Sequence, residues 1–208
     1  MGFDVDDFVA RCSSAVREKD APQRIADILR EVIAGPEAIT KAIASRQEGQ
    51  SPAPMADVFV NNDELTIYHL AFPANLFGVP HDHAGWGVIG VYKGAEAFNI
   101  YAEQGGTLVH RGRQEIDAPS VEILPPDLIH DIENTGADAS GSIHVYSNRH
   151  FDMPGRRIWR NEAADAEPFT VEKSFVYGLE RTNRIRGERG LEDAVMPPLP
   201  RLNAAKDT

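Results

Sequence analysis

The stretch GVPHDHAGWGVIGVYKG, residues 78–94, decides the fold of this chain. It sets two histidines, His81 and His83, one residue apart, and follows them with an apolar run that ends at Gly94. On an extended backbone, side chains two positions apart point to the same face, so the two imidazoles converge. Two converging imidazoles form a good clamp for a borderline divalent metal ion, and the sequence therefore predicts a metal site here.

The segments around this stretch have the character of β structure. Short runs rich in β-forming residues alternate with turn residues, and no helical pattern recurs between them. Such a pattern is typical of a β sandwich or barrel rather than a parallel sheet covered by helices. The predicted strands are residues 57–60, 64–72, 86–92, 95–101, 107–110, 121–124, 129–133 and 142–147, with a later one at 169–178.

The first fifty residues are predicted to be helical. Apolar residues recur there at helical spacing, for example Ile25 and Leu29, and Pro22 and Pro36 mark helix starts. The predicted organisation is a single structural domain with three parts. These are helices packed on the barrel (1–50), the β-barrel with the metal site (51–180) and a C-terminal surface tail (181–208).

The composition limits the partners and the compartment. Asp and Glu number 32 against 21 Lys and Arg, a net charge of -11, which disfavours nucleic acid and anionic membrane surfaces as partners. The lone Cys12 excludes an intrachain disulfide and a cysteine-based zinc site, and it fits a reducing compartment. The first residues are acidic and no long apolar run follows, so we expect a cytoplasmic protein without a signal peptide or membrane span.

A second stretch, PPDLIHDIEN at residues 125–134, complements the first. The two together resemble the paired motifs of the cupin superfamily, with Pro125, His130 and Asn134 in register and Asp127 in place of a glycine. The resemblance implies a mainly β fold, the cupin double-stranded β-helix (jelly-roll) barrel, with an N-terminal helical segment. It also implies that His130 joins the two earlier histidines around one metal ion.

One departure from the cupin pattern bears on the chemistry. The motif's carboxylate ligand falls seven residues before the closing glycine, and here that position is Gly87. The predicted site is therefore three neutral histidines, open on one face. Such a set leaves the ion its full positive charge, which favours an anionic thiolate or carboxylate as ligand.

The run SIHVY at residues 142–146 forms a second constellation. Strand alternation places Ser142, His144 and Tyr146 on one face, where each buried polar group needs a partner. One interpretation is a structural hydrogen-bonded trio. The other is a relay from Ser142 through His144 to Tyr146, with the phenol directed at the open side of the metal.

With this strand included, residues of about 55–160 resemble the thiol dioxygenase branch of the cupins. That branch contains cysteine dioxygenase and 3-mercaptopropionate dioxygenase, and the bacterial members are the more similar. The resemblance implies one non-haem Fe(II) per chain, O₂ as co-substrate and oxidation of a thiol to its sulfinate. It assigns His81, His83 and His130 to the iron and the relay to Ser142, His144 and Tyr146.

The group that would hold the substrate's carboxylate is less well specified. The arginine or glutamine that the family carries upstream of the first histidine is missing, because residues 55–58 hold neither. Arg156 and Arg157 are the best candidates, since mercaptopropionate-type enzymes also place an arginine shortly after the tyrosine and guanidinium binds carboxylates bidentately. A surface arginine pair or a salt bridge is the alternative.

The expected partner is a small-molecule thiol acid, with cysteine, 3-mercaptopropionate and mercaptosuccinate all open, and the chain is expected to be a monomer or homodimer. Two other functions remain: a cupin isomerase or dioxygenase for diketones or phenolics, and a non-catalytic metal-dependent protein that binds a small acid. The Ser-His-Tyr strand favours thiol oxidation, because neither alternative requires it. The isolated histidines His69, His110 and His150 are expected to be surface or hydrogen-bonded residues.

Overall fold

The computed structural model describes residues 2–195, beginning with three helices. They are α1 (Val5–Ala15), α2 (Ala21–Ile33) and α3 (Pro36–Arg46), as the apolar spacing predicts. The Asp4 side chain caps α1 by accepting hydrogen bonds from the backbone N–H groups of Asp6 and Asp7. A proline in the first turn opens both α2 and α3, where its missing N–H costs nothing.

The body of the molecule consists of antiparallel β-sheets. A five-stranded sheet has the order β1-β2-β8-β3-β6 and a three-stranded sheet the order β5-β4-β7, so strands along the chain cross between the two sheets. This arrangement confirms the predicted fold class, a mainly β double-stranded β-helix with an N-terminal helical segment. The strands are β1 (Ala56–Asn61), β2 (Thr66–Phe72), β3 (Gly87–Lys93), β4 (Ala95–Gln104), β5 (Thr107–Asp117), β6 (Ser120–Leu124), β7 (Ile129–Asn134), β8 (Ser140–Tyr146), β9 (Arg157–Ile158) and β10 (Glu167–Pro168).

The five-stranded sheet separates two apolar layers. On its outer face, Ile143 and Val145 of β8 pack with Leu29 of α2 and the other helical core residues. On its inner face, Tyr146 of the same strand packs with Phe98 of β4 and the barrel core. Because side chains alternate along a strand, burial of the odd-numbered apolar residues under the helices places Ser142, His144 and Tyr146 in the barrel interior.

The C-terminal part differs from the sequence prediction. The sequence predicts a strand over residues 169–178 and a tail over residues 181–208, but a helix, α4 (Val171–Glu188), runs through both. The strand prediction is wrong, and the start of the predicted tail is helix. Arg181 reaches Asp131 of β7 and Thr182 accepts a hydrogen bond from the Phe77 backbone N–H (3.0 Å), so tertiary contacts fix α4 on the barrel. Residues 196–208 of the predicted tail lie outside the described residues.

Across residues 2–195, none of the helices combines the length and the apolar character that crossing a bilayer requires.

Candidate metal centre

Three histidines from two segments meet inside the barrel. His81 and His83 lie on the extended segment that precedes β3, and His130 lies on β7. The backbones of His81 and His130 exchange two hydrogen bonds, of 3.0 and 3.1 Å, which fix the register between the segments. The three ring centroids are 4.9–5.0 Å apart, and one nitrogen of each ring lies within 4.8 Å of the others. The predicted ligand set therefore converges on one point.

Asp82 holds this segment in its extended shape. Its side chain points away from the two histidines and accepts hydrogen bonds from the backbone N–H of Arg157 (2.7 Å) and from the Arg157 Nε (2.8 Å). The alternation expected of an HxH segment is thus anchored on its opposite side. Asp82 is thus held on one side of the segment, while the rings of His81 and His83 lie 5.0 Å apart, centroid to centroid, at the metal centre.

The chemistry of the three rings fits a metal ion. His81 Nδ1 lies 2.9 Å from the backbone oxygen of Val79. Because that oxygen can only accept, Nδ1 carries the hydrogen, and Nε2 has a free lone pair with which to bind a metal. The Nε2 atoms of His83 and His130 face each other at 3.2 Å. Two imidazole nitrogens that each lie about 2.1 Å from one ion, with an N–metal–N angle of about 100°, are separated by about the same distance.

Burial keeps these imidazoles neutral. It lowers the pKa of His81 to about 4, and burial together with the neighbouring histidines lowers the pKa values of His83 and His130 well below the ordinary range. A neutral imidazole is the form that binds a metal. The three histidines could therefore bind a metal ion, and no carboxylate belongs to the cluster within the described part of the chain.

The Ser-His-Tyr strand lies beside this centre as a hydrogen-bonded chain. Ser142 Oγ is 2.9 Å from His144 Nε2, and His144 Nδ1 is 3.2 Å from the Tyr146 hydroxyl. The Tyr146 ring lies 5.1 Å from the ring of His83, centroid to centroid. Burial lowers the pKa of His144 to about 3 and raises the pKa of Tyr146 to about 12, so both groups are neutral near pH 7.

Two aromatic residues join the site that sequence reasoning did not assign to it. The Tyr68 hydroxyl is also 3.2 Å from His144 Nδ1, and its ring stacks on the His144 ring at 4.7 Å. His150 is 3% exposed and stacks on Tyr146 at 3.6 Å with an interplanar angle of 12°. The sequence signal for Tyr68 is strand alternation, which places it on the same face of β2 as Leu70. His150 lies on the loop after β8, where no periodicity predicts the direction of its side chain.

A cavity of about 150 Å³ opens next to the metal centre. It reaches His81 and His150, and its walls are otherwise mostly apolar, drawn from β1, β2 and α4. Apolar walls around a few polar groups are typical of a small-molecule site. The lining includes Met55, Tyr68, Leu70, Phe72, Phe151, Arg156, Phe169 and Phe175.

The structure separates the two candidate arginines. Arg156 is 3% exposed and lines the cavity, where its guanidinium carbon lies 3.6 Å from the centre of the Phe169 ring. Arg157 instead pairs with Asp82 and Glu103 at 2.8 Å each and is partly exposed. Arg157 therefore forms ordinary salt bridges, which is the alternative interpretation of the arginine pair. Arg156 lines the cavity, where it could contact a bound ligand.

Arg156 has an unusual charge environment. Its Nε donates to the backbone oxygen of Asp82 (3.0 Å) and its Nη1 to that of His150 (2.5 Å). Among residues 2–195 no carboxylate lies within ion-pair distance of it. Burial lowers the pKa of Arg156 only to about 10, so it stays cationic at neutral pH. A buried cation without a counter-ion favours an anionic ligand.

Comparison with known proteins gives similarity at the level of the fold. No protein-family model matches the chain. A cupin family protein with a double-stranded β-helix fold from Methanocaldococcus jannaschii is 15% identical, over 49% of this chain and 88% of its own, with a TM-score of 0.39. An uncharacterized conserved protein with a double-stranded β-helix domain from Klebsiella pneumoniae is 16% identical, over 61% and 95%, with a TM-score of 0.39. An oxalate oxidase is 19% identical, over 52% and 57%, with a TM-score of 0.37. No residue role in this chain follows from these similarities.

Proposed function

We propose that this protein is a non-haem Fe(II)-dependent thiol dioxygenase that oxidises a small carboxylate-bearing thiol to its sulfinate. The observation that carries the proposal is the guanidinium of Arg156, which has no carboxylate partner among residues 2–195, in a cavity that also reaches the histidine cluster. It supplies an anion site beside a metal site. The thiol takes up both atoms of one O₂, so that sulfur loses four electrons, dioxygen gains four, and one proton is released.

The metal ligands in this proposal are His81, His83 and His130. Their neutral nitrogens neutralise none of the ion's charge, which favours an anionic sulfur ligand. When bound, a ferrous ion at this centre supplies the one-electron chemistry by which dioxygen reacts with a thiol, and it lowers the pKa of that thiol.

The chain's own residues position the substrate. Arg156 binds the substrate's carboxylate. Because backbone oxygens and the Phe169 ring already hold its guanidinium in place, the side chain loses little conformational entropy on binding. The apolar walls bury the carbon chain of the substrate and exclude water. Exclusion of water strengthens the contact of Arg156 with the carboxylate and that of the metal with the sulfur. Holding the thiol and the reacting centre in one cavity removes much of the entropic cost of the reaction.

Tyr146 acts on charge that develops beside the metal centre. Its ring lies 5.1 Å from the His83 ring, and its neutral hydroxyl would donate a hydrogen bond to negative charge that develops on oxygen during the reaction. His144 and the stacked ring of His150 fix the direction of the phenol. A preorganised donor of this kind needs no rearrangement during the reaction.

The proposal is tested by purifying the protein without oxygen, measuring its metal content and screening a panel of thiols and non-thiol acids. We expect iron to support thiol-dependent oxygen uptake, with the sulfinate identified by mass spectrometry. Oxygen uptake with diketones or phenolics would instead make the protein a non-thiol cupin enzyme. Metal-dependent acid binding without turnover would make it a binding protein.

A further inference from the structure

A buried carboxyl group lies at the inner end of the Ser-His-Tyr chain. Glu96 on β4 has no exposed surface, and its Oε1 is 2.7 Å from Ser140 Oγ and 3.3 Å from Ser142 Oγ. Ser142 then contacts His144, which contacts Tyr146. An uninterrupted chain of hydrogen-bonding groups therefore runs from Glu96 to the phenol beside the metal centre.

The surroundings of Glu96 disfavour a negative charge. Within the described residues no arginine, lysine or histidine forms an ion pair with it, and its Oε2 has no hydrogen-bond partner. The titratable groups near it are Tyr68 on β2 and Tyr146 on β8, together with His144, which Ser142 separates from it, and all three are neutral near pH 7. Burial raises the pKa of Glu96 above its ordinary value.

Whether Glu96 carries a proton determines which group donates and which accepts in each hydrogen bond of the chain. An ionised Glu96 only accepts, so Ser142 donates to it, His144 Nε2–H donates to Ser142, and His144 Nδ1 becomes an acceptor. A tyrosine hydrogen must then point at His144, and Tyr146 and Tyr68 are both 3.2 Å from it.

A neutral Glu96 gives the opposite direction. With the hydrogen on Oε1, Glu96 donates to Ser142, Ser142 donates to His144 Nε2, and His144 Nδ1–H donates to a tyrosine oxygen. The orphaned Oε2 is then a carbonyl oxygen, which tolerates the lack of a partner better than a donor does. Neither tyrosine needs to donate to His144, and the Tyr146 hydrogen is free to point at the metal centre.

We propose that Glu96 is a protonated positioning residue that orients the Ser142–His144 chain so that the hydroxyl hydrogen of Tyr146 points at the metal centre. The inference deepens the proposed function and rests on the role given there to Tyr146. Activity should then be favoured by the neutral form of Glu96. The rate should fall by at least about twofold as the pH rises through the Glu96 titration, since the Tyr146 hydrogen then competes with that of Tyr68 for His144 and is withdrawn from developing charge.

The test uses Glu96→Gln, which has nearly the same shape and cannot ionise. Its amide nitrogen takes the place of Oε1, because a buried NH₂ without partners costs more than a buried carbonyl. We expect the variant to keep its rate at neutral pH within about threefold and to lose the alkaline limb of the pH–rate profile. Glu115→Gln, an exposed carboxylate on β5, is the matched control and should keep that limb.

An infrared measurement on the metal-free protein separates this inference from the question of thiol oxidation. A protonated carboxyl band that shifts in heavy water should be present at neutral pH, absent in Glu96→Gln and present in Glu115→Gln. If Glu96→Gln fails to fold, the wild-type band, measured on the iron-loaded protein without oxygen, must titrate with the same midpoint as the activity. The inference is overturned if the band is missing, if the two midpoints differ, if folded Glu96→Gln is inactive, or if its profile matches the wild type.

Discussion

Gly87 of β3 lies directly opposite Tyr146 of β8, and a Cβ at position 87 would lie 2.6 Å from the tyrosine's Cε1. In the resemblance of this segment to the cupin motif, the glycine takes the position of the motif's carboxylate ligand. The space that a side chain would occupy there is filled by the edge of the tyrosine ring. The missing ligand and the position of the phenol are therefore two aspects of one packing arrangement.

Gly87→Ala tests this arrangement. The added methyl group must displace the Tyr146 ring, and overpacking of this kind typically costs about 1–3 kcal/mol of stability. We expect metal content to be retained and the rate of thiol oxidation to fall at least about tenfold, through loss of the hydrogen bond from Tyr146. Gly112→Ala is the control, since a Cβ there meets no atom within 4 Å. A fully active Gly87→Ala protein would show that the ring position does not matter.

His83→Ala removes one of the three nitrogens at the predicted metal centre. The two remaining histidines cannot close the site, so we expect metal affinity to fall by at least about 100-fold and turnover to be lost. Metal content per chain by elemental analysis is the measurement. His110→Ala, which removes an exposed histidine on β5, should leave both properties unchanged. Normal metal content in His83→Ala would place the ion elsewhere.

Tyr146→Phe removes only the hydroxyl group. We expect the iron to be retained and the rate to fall by about one to three orders of magnitude, because a donor to developing charge is gone. Steady-state oxygen uptake measures the effect. Tyr177→Phe on α4, whose hydroxyl contacts Glu167 at 2.9 Å, is the matched control. If Tyr146→Phe is kinetically silent, the Ser-His-Tyr strand is a structural trio.

Arg156→Lys keeps the positive charge but loses the planar fork. For the thiol acid, kcat/KM should fall about 10- to 100-fold, as expected for lost charge-assisted hydrogen bonds of about 1.5–3 kcal/mol. For a thiol alcohol of the same length, which has no carboxylate, kcat/KM should change little. Arg157→Lys should leave the preference for the acid intact. An equal loss on both thiols in Arg156→Lys would mean that the arginine supports the fold and not the substrate.

The sequence predicts much of the fold because the decisive signals are local. The HxH spacing, the glycine turns and the alternation in SIHVY each depend on backbone geometry within a few residues, and the structure has the corresponding strands and helices. The convergence of His81, His83 and His130 needed the resemblance to the cupin motifs as well, since His130 is 47 residues from His83.

The features that sequence reasoning missed depend on long-range packing. Helix α4 is rich in β-forming and charged residues, and its helical spacing becomes informative only when its apolar face is known to cover the cavity. Glu96 resembles any acidic residue after a turn until its neighbours across the barrel are known. Arg156 and Arg157 are adjacent in sequence, and only the folded structure separates the buried Arg156 from Arg157, which pairs with Asp82 and Glu103.

The most direct test of the central claim follows the two atoms of isotopically labelled dioxygen. The iron-loaded protein is given a small thiol acid and labelled O₂, and the product is analysed by mass spectrometry. We predict a sulfinate that carries both labelled atoms, formed in equal amount to the O₂ consumed and not formed by His83→Ala. A disulfide product, or a sulfinate with label from solvent water, would contradict the assignment of a thiol dioxygenase.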